Sequence, residues 1–305
     1  MSTKAPTQMQ ETEFNFKCDW NGAFEDPEFI KTFSTEILEN YILKKRWYAG
    51  KSSTLKYIEI VDYFELKSEK NTYYGVLFEV NFSEAFFQDY FIPLSFINQE
   101  KDALETSTVI APVSFKNEEG FLIDAIHIED FRKLVFENMM QYSAEAAPAK
   151  TVFHRSETTH PVAYESSRFM GGEQSNTSII FNDSMVMKFF RRIYTSKNPD
   201  YEIVRFITEK TDFKNIPGYV SSMNVAFENG ETVTLGLMQE LIENEGDAWK
   251  YMLNELKGVF ANLERKKIKA SRLPKIRMYQ RQPINTIPPE IIDFAGLNLF
   301  LKVAK

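Results

Sequence analysis

The sequence predicts an α+β fold of antiparallel sheets with helices between them. Three observations carry this. Several runs of strand length are rich in aromatic and β-branched residues and are separated by charged or turn-forming residues. Two segments open on an Asn or Asp followed by proline, Asp26-Pro27 and Asn198-Pro199, and lead into apolar residues at helical spacing. Short polar turns, Asn182-Asp183 and Asn229-Gly230, sit between paired apolar runs, as hairpins require.

The elements follow in order. Residues before about Phe24 read as polar and loosely ordered, with Cys18 in that tail. A first helix is predicted from Pro27, with Phe29, Ile30, Phe33, Ile37, Leu38, Tyr41 and Ile42 on its apolar face. Lys44, Lys45 and Arg46 suit its last turn, and Gly50 suits its end. Three strand runs, LKYIEIVDYFEL, TYYGVLFEVNF and FFQDYFIPLSF, predict an antiparallel meander packed on that helix. STVIAPVSFKNEEGFLIDAIHIED predicts a hairpin, followed by a helix from about Glu129. AEAAPAKTVFHRSETTHPVAYES reads as a connection with an edge strand.

GGEQSNTSIIFNDSMVMKFFRR then predicts two strands, 176–181 and 184–190, behind a glycine-led turn. A helix follows from Pro199, with Ile203, Phe206 and Ile207 on one face, and then a hairpin turning at Asn229-Gly230. A further helix starts at Ala248, with Tyr251, Met252, Leu256, Val259, Phe260 and Leu263 as its stripe. A last helical pattern runs from near Pro289 to Lys305. No internal repeat or low-complexity tract is present.

The chain has 305 residues, a length that suits about two domains. Its 43% hydrophobic content and 27 phenylalanines supply an aromatic core, which excludes a disordered chain. The net charge of −7 argues against general nucleic-acid binding, which needs basic surface. Eight basic residues and no acidic one lie between Arg265 and Gln282, without interleaved stacking aromatics, and read as a solvated connection. A single cysteine excludes an internal disulfide and a cysteine-based metal site. The start lacks an apolar signal region and no run approaches 18 apolar residues, so a soluble cytoplasmic protein is expected, with no membrane partner.

The chemistry-bearing feature is Lys188. Alternation in its strand puts Val186, Lys188 and Phe190 on one face, so the ammonium must snorkel outward or meet an anion. Glu202, on the helix that follows, is the expected partner. Glycine-led turn, strand, turn, strand with lysine, then helix with glutamate is the order in which a protein-kinase-like small lobe grips ATP. The last hairpin would end at Gln239, Glu240 and Leu241, where a kinase hinge meets adenine. The same residues also suit a mixed core with a snorkelling lysine, and the residues alone leave both readings open.

Four blocks of the sequence narrow the choice: RWYAGKS, GGEQSNTSIIFNDSMVMKFFRR, NPDYEIVRFITE and QELIENEGDAW. In this order they resemble consecutive blocks of the bacterial maltokinases, including those fused to trehalose synthase, from about Arg46 to Trp249. Maltokinases are similar in fold to aminoglycoside phosphotransferases and transfer the γ-phosphate of ATP to the anomeric hydroxyl of maltose, giving maltose 1-phosphate for α-glucan synthesis.

The resemblance implies an N-terminal cap domain over residues 1–104, a kinase-like small lobe over 105–243, and the first helices of a large lobe over 244–305. It implies that Lys188 binds phosphate, that Glu202 aligns it, and that Gly171, Gly172, Gln174, Ser175 and Asn176 form the loop over the phosphates. Gln239, Glu240 and Leu241 would form the hinge. RWYAGK belongs to the cap, with an architectural role. ATP with magnesium is the implied cofactor, and maltose and a trehalose synthase are the implied partners.

The sequence departs from the family after the hinge. Phosphoryl transfer needs a base for the acceptor and carboxylates for magnesium. The histidines are His127, His154 and His160, and none is followed two places on by aspartate. DFAG at Asp293–Gly296 lacks a catalytic loop before it and reads as helix surface. No catalytic or metal-binding residue is therefore assigned. The chain is expected to be a truncated kinase, cut inside a helix at Lys305, inactive alone and a weak binder of nucleotide. The competing expectation is a non-catalytic module that docks onto a trehalose synthase or another glucan enzyme.

Overall fold

The computed structural model describes residues 13–98, 107–141, 150–171, 175–196, 198–227, 229–246, 248–265 and 267. The chain divides into two compact units, Met1–Ile242 and Glu243–Lys305. The first holds two antiparallel sheets in which one parallel pair is included. Strands β2 (Leu55–Lys67), β3 (Thr72–Phe82) and β4 (Phe87–Ile97) form the expected meander. The hairpin of β5 (Val109–Phe115) and β6 (Glu118–Asp124) joins the same sheet through β6 and β4. The first sheet therefore runs past the boundary expected at residue 104, because β6 pairs along the free half of β4.

The described part of the N-terminal segment, residues 13–25, is ordered rather than loose. β1 (Phe14–Phe16) pairs in parallel with β5, and a 3₁₀ turn follows at Trp20–Glu25. Its polar composition conceals four aromatic anchors, Phe14, Phe16, Trp20 and Phe24, which pack into the first core. Cys18 lies among them. The first helix begins at the predicted cap: the Asp26 carboxylate accepts from the Glu28 and Phe29 N–H groups, with Pro27 next. It runs as α1 (Pro27–Thr32), a π-helical segment (Phe33–Leu38) and α2 (Glu39–Ile42). It ends before the lysines, and Gly50 instead lies buried in a short 3₁₀ turn, Ala49–Ser52.

Strand β3 explains the packing. Tyr74, Val76, Phe78 and Val80 point into the core beneath the first helix. Tyr73 and Leu77, on the opposite face, point into a second core. Both faces of the sheet are thus covered, so β3 reads as a nearly continuous buried run. Gly75 lies under the Phe64 ring, where a Cβ would collide with it.

The second core is shared with the second sheet, whose order is β7-β12-β13-β10-β9-β8. These strands are β7 (Thr151–Arg155), β8 (Ser167–Phe169), β9 (Asn176–Phe181), β10 (Met185–Phe190), β12 (Tyr219–Ala226) and β13 (Thr232–Glu240). Helix α3 (Glu129–Met140) buries Phe131, Val135, Phe136 and Met139 in the same core. The β9–β10 turn has φ of 49° at Asn182 and 47° at Asp183, the left-handed pair of a tight hairpin. After β10 the chain leaves the second sheet at Arg191. It enters the first as β11 (Arg192–Ile193), which pairs with β4.

Helix α4 (Pro199–Lys210) starts at the predicted Asn198 cap, whose side chain accepts from the Asp200 N–H at 3.0 Å. In the second unit, α5 (Ala248–Arg265) exposes Trp249, Tyr251, Leu256 and Phe260. The expected helix from Pro289, the DFAG stretch and most of the basic run lie outside the described residues. No described helix is long and apolar enough to cross a membrane.

Candidate functional site

β10 occupies the middle of the second sheet, between β9 and β13. In this register Lys188 stands between Ser178 and Leu237. Its aliphatic stem lies on the sheet and its head emerges, so the side chain is 39% exposed. The ammonium both snorkels and meets an anion. Its Nζ is 3.7 Å from the Asp200 carboxylate in the first turn of α4.

The expectation had named Glu202 as this partner. At 100° per residue, positions two apart lie on nearly opposite sides of a helix. The turn that brings Asp200 to Lys188 therefore directs Glu202, which is exposed, elsewhere. Asp200 is itself 57% exposed, so the pair is worth about 0–1 kcal/mol. A lysine held so lightly is available to a stronger anion.

Of the expected phosphate loop, Gly171 follows β8, Ser175 is exposed, and Asn176 opens β9 opposite Phe190. Gly172 and Gln174 lie outside the described residues. A Cβ on Gly171 would meet none of the described atoms within 4 Å, and its φ is not in the left-handed region. Internal packing therefore does not demand glycine there; close approach of a ligand to the backbone is a remaining reason for it.

At the hinge, Gln239 is buried and its side chain donates to the Pro217 carbonyl at 3.2 Å. The Glu240 N–H donates to the Gly218 carbonyl and the Leu241 N–H to the Ser184 carbonyl, each at 2.9 Å. The Glu240 carboxylate accepts from the Gly218 N–H at 3.2 Å. These three residues thus build the end of the sheet, and of the backbone groups expected to meet adenine the Glu240 and Leu241 N–H groups are engaged within the lobe.

A small concavity of about 140 Å³ touches the glycine turn, lined by Gly171, Asn176 and Thr177 on one side and Lys45, Trp47 and His127 on the other. Lys188 does not line it, and its volume is below that of sites for drug-sized ligands. Beside it lies an ion pair that sequence reasoning missed. Arg191 and Asp124 are almost completely buried, with Arg191 Nη2 at 2.7 Å and Nη1 at 3.3 Å from the two carboxylate oxygens. Arg191 Nε donates to Thr177 Oγ1 at 3.0 Å, and Tyr41 donates to Asp124 at 3.2 Å. The pair ties the start of β9 to the end of β6. Its only sequence signal is the charge of Arg191 directly after an apolar strand.

The His127 ring lies 5.0 Å from that of Phe169, tilted by 36°, and burial holds its imidazole below the ordinary range, against the pull of Asp124. Arg132 donates from Nε to Ser167 Oγ at 2.8 Å and sits over the same Phe169 ring. Three of the RWYAGK residues pack internally. Trp47 and Tyr48 are buried, Arg191 lies 5.5 Å over the Trp47 ring, and a Cβ on Gly50 would stand 2.5 Å from Phe82 and Tyr48. Among the described residues no three His, Cys, Asp or Glu side chains gather to hold a metal ion.

Residues 41–127 match the family model of the maltokinase N-terminal cap domain. They span the end of the first helix through β6 to His127. Two solved structures of glucosamine kinase are also similar to the chain. A complex with glucosamine, ADP and inorganic phosphate aligns at a TM-score of 0.41 and 10% identity, over 76% of this chain and 46% of that one. A second crystal form aligns at 0.38 and 14%, over 72% and 42%. The chain spans less than half the length of each. Residues 41–127 thus match a cap domain of the maltokinase type, and after them the chain runs in the order glycine turn, hairpin with lysine, helix, hairpin.

Proposed function

We propose that this chain carries the cap and the nucleotide-gripping lobe of an ATP-dependent sugar kinase whose acceptor is maltose. The observation that carries the reading is Lys188. It is central in the sheet, one strand from the glycine turn and one from the hinge strand, with its ammonium against an exposed carboxylate on α4. ATP phosphates would take up the ammonium in place of, or beside, Asp200, with Glu202 as a second acid on the same turn. The Gly171–Asn176 segment would cover the phosphates, and the carbonyl side of Glu240 and Leu241 would meet adenine. Magnesium would enter with ATP. The cap match and the four sequence blocks support maltose as the acceptor.

No His-X-Asp sequence occurs in these 305 residues. The reading for this chain is therefore nucleotide binding, with transfer to maltose requiring a lobe that supplies the base. Titration calorimetry of the full chain with magnesium-ATP tests it. Lys188→Ala, checked for folding by circular dichroism, is expected to weaken binding about 10- to 100-fold, the loss of a hydrogen bond to a charged group. Equal affinity in the two proteins removes the site assignment. Absence of binding by the wild type at millimolar ATP leaves the docking role, with trehalose synthase as the partner to test.

A further inference from the structure

Helix α4 carries Asp200, the acid that faces Lys188, yet none of its residues is fully buried. Tyr201 and Val204 pack partly buried against the core, and polar contacts add a second hold. Arg205 Nη2 lies 2.8 Å from His154 Nε2 on β7. A guanidinium only donates, so Nε2 accepts and the ring is neutral, with its proton on Nδ1. Nδ1 is 2.9 Å from the Tyr219 hydroxyl, to which it then donates. Tyr219 in turn donates to the His154 carbonyl at 2.8 Å. The chain is closed and every polarity is determined by Arg205. Arg205 is itself aimed by Glu209, at 3.0 Å from Nε, and by Tyr201, at 2.7 Å from Nη1. Thr208 is a further side-chain tie from α4, accepting from the Tyr219 N–H at 2.9 Å.

We propose that His154 is a positioning residue, a pH-dependent clasp that holds α4, with Asp200, against the strand of Lys188. Protonation would put an N–H where the clasp needs a lone pair and would oppose two cations at hydrogen-bond distance. The groups facing the ring are Arg205, Glu209 and Tyr201 from α4, Tyr219 and Ser222 from β12, and Glu157 just past its own strand. Burial and then Arg205 lower the imidazole pKa, and Glu209 and Glu157 only partly oppose this. A lowered folded-state value means the lifted state binds the proton more tightly. The clasp is therefore intact above the ordinary value of 6.5 and weakens as pH falls below it.

The effect of the clasp on nucleotide rests on the reading of Lys188 given above, but the clasp itself does not. Hydrogen exchange of the full chain, corrected for intrinsic rates, is expected to show α4 peptides losing protection, by at most about tenfold, from about pH 7.5 to about pH 5.5. His154→Gln, whose amide can accept from Arg205 and donate to Tyr219 without titrating, should keep α4 protected and abolish this pH dependence. The same pH dependence in the variant, or none in the wild type, overturns the proposal. Nitrogen NMR of the wild-type ring gives a test that needs no variant: the Nδ1–H tautomer is expected, and the Nε2–H tautomer overturns it. Magnesium-ATP affinity should fall with α4 protection in the wild type and not in the variant. If α4 responds as expected and ATP never binds, the clasp stands and the nucleotide reading falls. If ATP binds with no pH dependence while α4 loosens, the positioning role is overturned.

Discussion

Lys188 and Arg191 stand three residues apart and illustrate two uses of a cation. Lys188 keeps its head in water and spends its charge on an exposed acid. Arg191 gives up water entirely and is held by both oxygens of Asp124, by Thr177 and by the Trp47 ring. Cys18 makes a third case. Burial, then the Asp26 carboxylate, pushes its thiol from 9.0 up to about 11. At about pH 8 its thiolate fraction should be about a hundredfold below that of a free thiol, and labelling by an aromatic disulfide reagent should slow in proportion. Labelling at the rate of a free cysteine would show that the N-terminal segment detaches from the cap core.

At the level of elements, the hairpin β9–β10 is organised by its turn. Asn182 tolerates a φ of 49°, and its side chain also holds the strand leading into the glycine turn. It accepts from the Glu165 and Ser166 N–H groups and donates to the Ala163 carbonyl at 2.8 Å. Asn182→Gly keeps the turn conformation and removes these bonds. It should therefore cost about 1–3 kcal/mol in denaturant unfolding and raise exchange in β8 before β10. A stability within about 0.5 kcal/mol of wild type would show that the side chain contributes little. Helix α4 is the complementary case, since its cap and proline were readable and its seat was not. Asn198-Pro199 determines where the helix starts, whereas its rotation, which chooses Asp200 over Glu202 for Lys188, comes from docking through Arg205 and Thr208.

At the scale of the molecule, the cap and the lobe behind it are not separate beads. The meander sheet is covered on one face by the first helix and on the other by a core it shares with α3 and the second sheet. β11 returns from the lysine strand into the cap sheet, and Asp124–Arg191 lies at that joint. Asp124→Asn should leave a buried guanidinium uncompensated and cost about 3–5 kcal/mol. Because the two sheets share a core, denaturant unfolding followed by Trp47 fluorescence and by exchange in β9 should shift together. A shift in only one of them would show that the sheets unfold independently.

Local chemistry determined much of this protein from sequence alone. Alternating apolar runs specified the meander and the three hairpins; proline after a capping side chain specified the starts of the first helix and α4. The tight turns at Asn182-Asp183 and at Gly230 sat where Asn, Asp and Gly allow a positive φ, and the order glycine turn, lysine strand, helix was readable. These are short-range effects, so the residues that cause them are neighbours in the chain. The tertiary structure alone decided the rest. It joined β5 and β6 to the cap sheet, ordered the N-terminal aromatics against a parallel partner, and brought Arg191 to Asp124 and Arg205 to His154. Each of these joins residues far apart in the chain, where only the shared burial of a surface or a charge selects the partner, and no local pattern encodes that choice.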